Sequence, residues 1–195
     1  MDGAGPTNVK PCTAPAASAR RLMAKPKRYV AFLRGVSPMN AKMPELKKAF
    51  ELAGFTDVKT VLSSGNVCFT SSPAKPETLA RKCEAAMKEH LGKSFFTLVR
   101  SVDTLSQLVE SGPYAAFRLK PGAKCVVTFL DAAPSPKPKL PIEHDGAHIL
   151  ALRGTEVFTA YAPSPKGPVF MTLLQRTFGK DITTRTWDTL VKCLR

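Results

Sequence analysis

From Tyr29 onward the chain alternates short apolar runs with amphipathic stretches of helical period. Tyr29-Val-Ala-Phe-Leu-Arg34 is an apolar run closed by Gly35 and reads as a buried strand. Pro44 stands where its fixed φ and missing N–H suit a first helical turn. A helix over 45–53 follows, with Leu46, Phe50 and Ala53 on one face and Gly54 as its stop. Residues 58–63 and 67–70 are β-prone runs flanking Gly65-Asn66, whose Gly-first order predicts a type II′ hairpin. Residues 76–91 repeat the helical pattern, with Leu79, Cys83, Met87 and Leu91 in register before Gly92. Residues 95–100 supply a fourth strand.

The order β-α-β-β-α-β is the split βαβ plan of ferredoxin-like domains. A looser echo follows. Residues 102–110 pattern as a helix, 125–130 as a strand, and 148–152 with 156–161 as a hairpin across Arg153-Gly154-Thr155. Two closing helices are predicted, over 169–178 and 184–194, the second with Thr183-Thr184 as cap candidates. The expected fold class is α+β, two tandem ferredoxin-like units with antiparallel sheets. The expected domains are 29–101 and 102–195, preceded by a leader over 1–28. Ala133-Pro-Ser-Pro-Lys137 and Ala162-Pro-Ser-Pro-Lys166 repeat one another next to strands, and turn chemistry accounts for both.

The 195 residues can bury a sizeable core without staples. The formal charge of +14, from 29 basic and 15 acidic residues, favours anionic partners and says nothing about fold. Part of it is concentrated early, where Lys10, Arg20, Arg21, Lys25, Lys27 and Arg28 face Asp2 alone. With its prolines and no apolar core, that stretch reads as a disordered basic leader or as translation from an upstream start before Met23. An Ala/Ser/Arg-rich transit peptide is the less favoured alternative. Cys12, Cys68, Cys83, Cys125 and Cys193 are scattered and odd in number, which points to reduced thiols in a cytoplasmic protein. No apolar run approaches the roughly 18 residues of a membrane-spanning helix, so no membrane partner is expected.

In a sheet of this topology the end of strand one, the start of helix one and the hairpin of strands two and three share one end. That end gathers Arg34, Gly35 and Lys42 beside Ser63, Ser64, Gly65 and Asn66. Free helix N–H groups, hydroxyls and two cations make it a candidate anion pocket, and Arg185 near the C-terminus is a further candidate for the same ligand. The plainer reading is that Ser64 and Asn66 serve the turn while Arg34 pairs with a carboxylate. Neither G-x-x-x-x-G-K-[ST] nor G-x-G-x-x-G is present.

Other chemistry is weakly signalled. His144 and His148 with Glu143 and Asp145 resemble a metal cluster, but Gly146 breaks the helix that would align them, so a solvated loop and no metal are expected. His90 suits a helix C-terminus. Cys68 and Cys83 lie on core faces without an evident base. No paired carboxylates announce acid/base work. Trp187 reads as a packing anchor that with Arg185 would cover a ligand. No catalytic constellation and no cofactor are expected.

Phe32-Leu-Arg-Gly35, Met43-Pro-Glu-Leu46, Ala53-Gly-Phe-Thr-Asp-Val-Lys59, Ser64-Gly-Asn-Val67 and Thr183-Thr-Arg-Thr-Trp187, in that order, resemble the bacterial family known as domain of unknown function 1697. The resemblance runs from about Tyr29 to the C-terminus. It implies a soluble α+β protein and no assigned activity. Where many members resemble L-R-G-I-N-V-G-G after the first strand, this chain reads Leu33-Arg-Gly-Val-Ser-Pro-Met-Asn40. The favoured function is binding of a small anionic, phosphate-bearing molecule. A nucleic-acid binder using a basic surface is the alternative, and it requires exposed aromatics such as Tyr29, Phe69 and Phe96 on the sheet. An enzyme of unrecognised class ranks third.

Overall fold

The structure is a computed structural model and describes residues 25–162 and 169–195. The protein is α+β, built on two antiparallel sheets. Strand β1 (Lys27–Leu33), helix α1 (Met43–Leu52), β2 (Thr56–Val61), β3 (Asn66–Ser71), α2 (Pro76–Leu91) and β4 (Thr97–Ser101) form the first layer, with strand order β2-β3-β1-β4. The second half runs α3 (Val102–Glu110), β5 (Lys124–Leu130), β6 (Ile142–His144), β7 (Ala147–Arg153), β8 (Glu156–Tyr161), α4 (Val169–Phe178), β9 (Ile182–Thr186) and α5 (Trp187–Cys193). Its sheet order is β6-β7-β8-β5-β9. The connection from β5 to β7 carries the short strand β6 and no helix, so the second sheet departs from the first in its crossover. Most of the expected leader, residues 1–24, lies outside the described residues, as does the second Pro-Ser-Pro-Lys segment. Lys27 and Arg28, assigned to the leader from sequence, instead begin β1 and pair with Ser71 and Thr70.

Strand β1 is apolar on both faces because both are covered. Tyr29, Ala31 and Leu33 join Val67, Phe69 and Val99 in a core closed by Leu46 and Phe50 of α1 and by Leu79, Cys83 and Met87 of α2. Val30 and Phe32 join Cys68 and Leu98 against Val127, Phe129 and Phe158 of the second sheet and Leu190 and Cys193 of α5. The sheets therefore meet face to face. A third cluster packs α4, through Leu174, on Leu130, Ile149, Val157 and Ile182.

Two local readings require correction. Gly65-Asn66 is not a two-residue turn: β2 ends at Val61 and β3 begins at Asn66, leaving the four-residue loop 62–65 between them. The reason is the Asn66 side chain, whose Nδ2 donates to Val61 O at 2.8 Å and to Ser64 Oγ at 3.1 Å, closing the loop from inside. The final helix starts later than expected. Residues 182–186 instead form edge strand β9 against β5, with Arg185 opposite Val127. A β-branched run of Ile and three Thr suits a strand once an edge is available to pair with. The cap is Thr186, whose hydroxyl accepts from Thr189 N at 3.3 Å.

Candidate functional site

At the end of the first sheet Arg185 contacts three of the expected residues, Ser64, Gly65 and Asn66. Side chains alternate along β9, so pairing with β5 aims Arg185 inward toward the first sheet. Its Nε donates to Asn66 Oδ1. Nη1 donates to Thr183 Oγ1 at 2.9 Å and Thr184 O at 2.7 Å. Nη2 reaches the carbonyls of Leu33, Ser64 and Gly65 at 2.8, 3.0 and 3.1 Å. The guanidinium thus reads three carbonyls of the β1 end and the 62–65 loop, and among the described residues it meets no carboxylate. Burial lowers its pKa to about 10, which leaves it cationic at neutral pH.

This arrangement continues as a stack through the molecule. The Arg185 Cζ lies 5.5 Å from the Phe32 ring centre. Phe32 stacks on Phe129 at 4.4 Å and 11°, and the Arg100 Cζ lies 5.6 Å from the far ring. Arg100, at the other end of the stack, bonds Glu156 Oε1 at 2.8 Å and Leu130 O at 2.8 Å in a largely buried pair. Two arginines, one donated by each half, clamp the sheets around an aromatic pair. Sequence reasoning missed Arg100, although a lone cation in the strand Thr-Leu-Val-Arg-Ser was its signal.

The remaining predicted residues divide cleanly. Gly65 is buried at φ +73°, and a Cβ there would meet Val36 Cβ at 2.8 Å and Leu33 Cβ at 3.0 Å, so close approach of the loop to β1 requires glycine. Asn66 is fully buried and its amide is committed to the protein. Ser63 and Ser64 stay exposed. Gly35 is exposed, and its carbonyl accepts from Asn40 Nδ2 at 2.7 Å, closing the 35–40 loop. Arg34 pairs with exposed Asp181 at 3.8 Å, and Lys42 with Glu45 at 3.7 Å. Gly65, Asn66 and Arg185 are therefore internal, while Arg34, Lys42, Ser63 and Ser64 remain at the surface.

The aromatic platform needed for base stacking is not offered by the first sheet, because Tyr29 and Phe69 are buried under α1 and α2 and Phe96 is half-buried. His144 ends β6 and His148 lies in β7, so the expected loop is a strand pair. His148 Nδ1 sits 3.6 Å from Glu143 Oε2 across that pair. His90 lies in the last turn of α2, as its spacing predicted. Among the described residues no group of three potential metal ligands occurs. No helix among them is long and apolar enough to cross a membrane.

The second sheet holds a cavity of about 180 Å³ between residues 117–123 and strands β7 and β8. Leu150, Ala160 and Ala162 line it together with Phe117 and Leu119, making an apolar interior. Arg118, Lys120 and His148 also line it, and among the described residues neither Arg118 nor Lys120 forms an ion pair. The site thus combines an apolar body with two unneutralised cations.

A solved structure of a conserved bacterial protein, SP0830 from Streptococcus pneumoniae, shares this fold. The TM-score is 0.63 at 19% identity, over 87% of this chain and 97% of that one. No curated protein matches the chain. The family described as "Protein of unknown function (DUF1697)" matches residues 27–158. That span takes in Phe32, Arg100, Phe129 and Glu156 and stops short of Arg185, and the chain belongs to this family.

Proposed function

We propose that the protein binds a small anion with an apolar body, and that the ligand sits in the cavity of the second sheet. The observation carrying this reading is the apolar cavity lined also by Arg118, Lys120 and His148. Ligand sites are characteristically concave and apolar with a few convergent polar groups. An apolar cavity of about 150 Å³ holds benzene, so this volume suits one aromatic ring carrying a carboxylate or phosphate. The internal commitment of Arg185 and Asn66 favours this location over the Arg34 end, where surface groups alone remain for an anion. We also read residues 29–101 and 102–195 as tandem ferredoxin-like units in a cytoplasmic protein. The support is that β5, β7, β8 and β9 repeat the order of the first sheet without its first crossover helix.

The test is thermal unfolding with phenyl phosphate, benzoate and inorganic phosphate, compared among wild type, Leu150→Trp, Arg118→Ala/Lys120→Ala and Arg34→Ala. A probe at about 100 times its Kd stabilises by about 2.7 kcal/mol. Stabilisation by phenyl phosphate or benzoate is expected in wild type and Arg34→Ala, and is expected to vanish when the cavity is filled or its cations removed. Loss in Arg34→Ala instead would return the site to the β1 end. No stabilisation by either aromatic anion refutes the proposal.

A further inference from the structure

Cys68 and Cys193 are 125 residues apart, yet Cys68 Sγ donates to the Cys193 carbonyl at 3.4 Å. Pairing of β3 with β1 turns Cys68 toward the face that receives α5, and the last turn of α5 places Cys193 there. Cys68 also lines a cleft of about 460 Å³ with Arg28, Lys47, Lys59 and Arg195, against which stand only Glu51 and Asp57. Cys68 therefore lines the cationic cleft while only 5% exposed, and Cys193 is buried behind it at 1%.

We propose that Cys68 and Cys193 are a redox pair, with Cys68 attacking a hydroperoxide in the cationic cleft and Cys193 resolving the product as an intramolecular disulfide. The thiolate is the nucleophile in such chemistry, and cations nearby favour it. The contact with the Cys193 side chain lowers the pKa of Cys68, with Arg28 and Lys59 adding to the effect against burial. That same contact, with burial, raises the pKa of Cys193, which keeps it protonated until it is needed. The other described thiols lack this setting. Burial raises both Cys83, on the inner face of α2, and Cys125 on β5.

The chemistry balances in two steps. The Cys68 thiolate attacks one peroxide oxygen, the O–O bond breaks, and Cys68 becomes a sulfenic acid while the alkoxide leaves and takes a proton from solvent. The Cys193 sulfur then attacks the sulfenic sulfur. The S–S bond forms, the S–O bond breaks, and hydroxide leaves with the Cys193 proton as water. Two electrons pass from the thiols to the peroxide, and an external dithiol restores the pair by exchange.

The experiment treats the full chain, carrying Cys12→Ser, with one equivalent of hydrogen peroxide at pH 7, followed by alkylation, digestion and mass spectrometry. A Cys68–Cys193 linked peptide is expected in most molecules, reversible by dithiothreitol, with Cys83 and Cys125 still alkylated. In Cys193→Ser, dimedone is expected to trap a sulfenic acid at Cys68. Arg28→Ala/Lys59→Ala should slow alkylation of Cys68 about fivefold or more through a smaller thiolate fraction. Oxidation of Cys68 no faster than Cys125, or loss of thiols with no linked peptide, overturns the proposal.

Discussion

Replacing Arg185 by Met tests whether one guanidinium fastens the two sheets. Met keeps a flexible apolar stem beside Phe32 but removes every donor. Of the six acceptors, Ser64 O and Thr184 O are only partly buried and can take water, and Gly65 O keeps the Leu33 N–H at 2.8 Å. Asn66 Oδ1, Leu33 O and Thr183 Oγ1 lie in buried contacts; the Thr183 hydroxyl can rotate, and the other two are left stranded, at about 1–3 kcal/mol each. The lost contact with the Phe32 face adds about 1–2 kcal/mol. Opposing this, the substitution relieves burial of a cation. The fall from 12.5 to about 10 corresponds to about 3 kcal/mol at ~1.36 kcal/mol per pKa unit. Hydrogen bonds to a charged group contribute about 1.5–3 kcal/mol each, so six acceptors outweigh that penalty. These terms leave an expected net loss centred on about 2–3 kcal/mol, read by urea denaturation, with a fall in Tm of roughly 8 °C at about 2–4 °C per kcal/mol for a chain of this size. Arg185→Lys, which keeps the charge but offers three donors, should lose less. A double-mutant cycle with Asn66→Ala should show coupling of about 1 kcal/mol or more. A variant within about 1 kcal/mol of wild type, or additive with Asn66→Ala, refutes the clamp.

Gly65→Ala forces a left-handed φ on a residue with a Cβ and drives that carbon into Val36 and Leu33; a loss of about 1–3 kcal/mol in denaturant midpoint experiments is expected. Cys83 supplies a pH dependence. Burial raises its pKa in the folded state, so above its ordinary value of 9.0 the unfolded chain releases a proton that the folded chain keeps. Stability from this group is complete below pH 9.0 and falls as pH rises, by up to about 1.4 kcal/mol per unit. Cys83→Ala should lower stability at pH 8 through the missing side chain yet flatten the decline between pH 9 and 10. Parallel profiles for the two proteins would contradict this assignment.

Local pattern determined most of the elements by itself. The apolar run at Tyr29, the helical register of Leu79, Cys83 and Met87, and Gly92 at φ +68° are signals carried by residues a few positions apart, and the structure keeps each of them. The cluster of Arg34, Ser64 and Asn66 at one end of the sheet was legible because topology alone places those segments together. Tertiary structure decided what the cluster is for. Asn66 faces Arg185 across 119 residues, and local spacing carries no information about a contact that distant. The same limit explains β9. Taken alone, residues 184–186 fit the start of a helix, and the open edge of β5 turns them into a strand that aims Arg185 inward. It also explains why Cys68 and Cys193 read as two of five scattered cysteines until α5 docked on the first sheet. Periodicity reports which face of an element is apolar, and only the packing of the two sheets reports what that face meets.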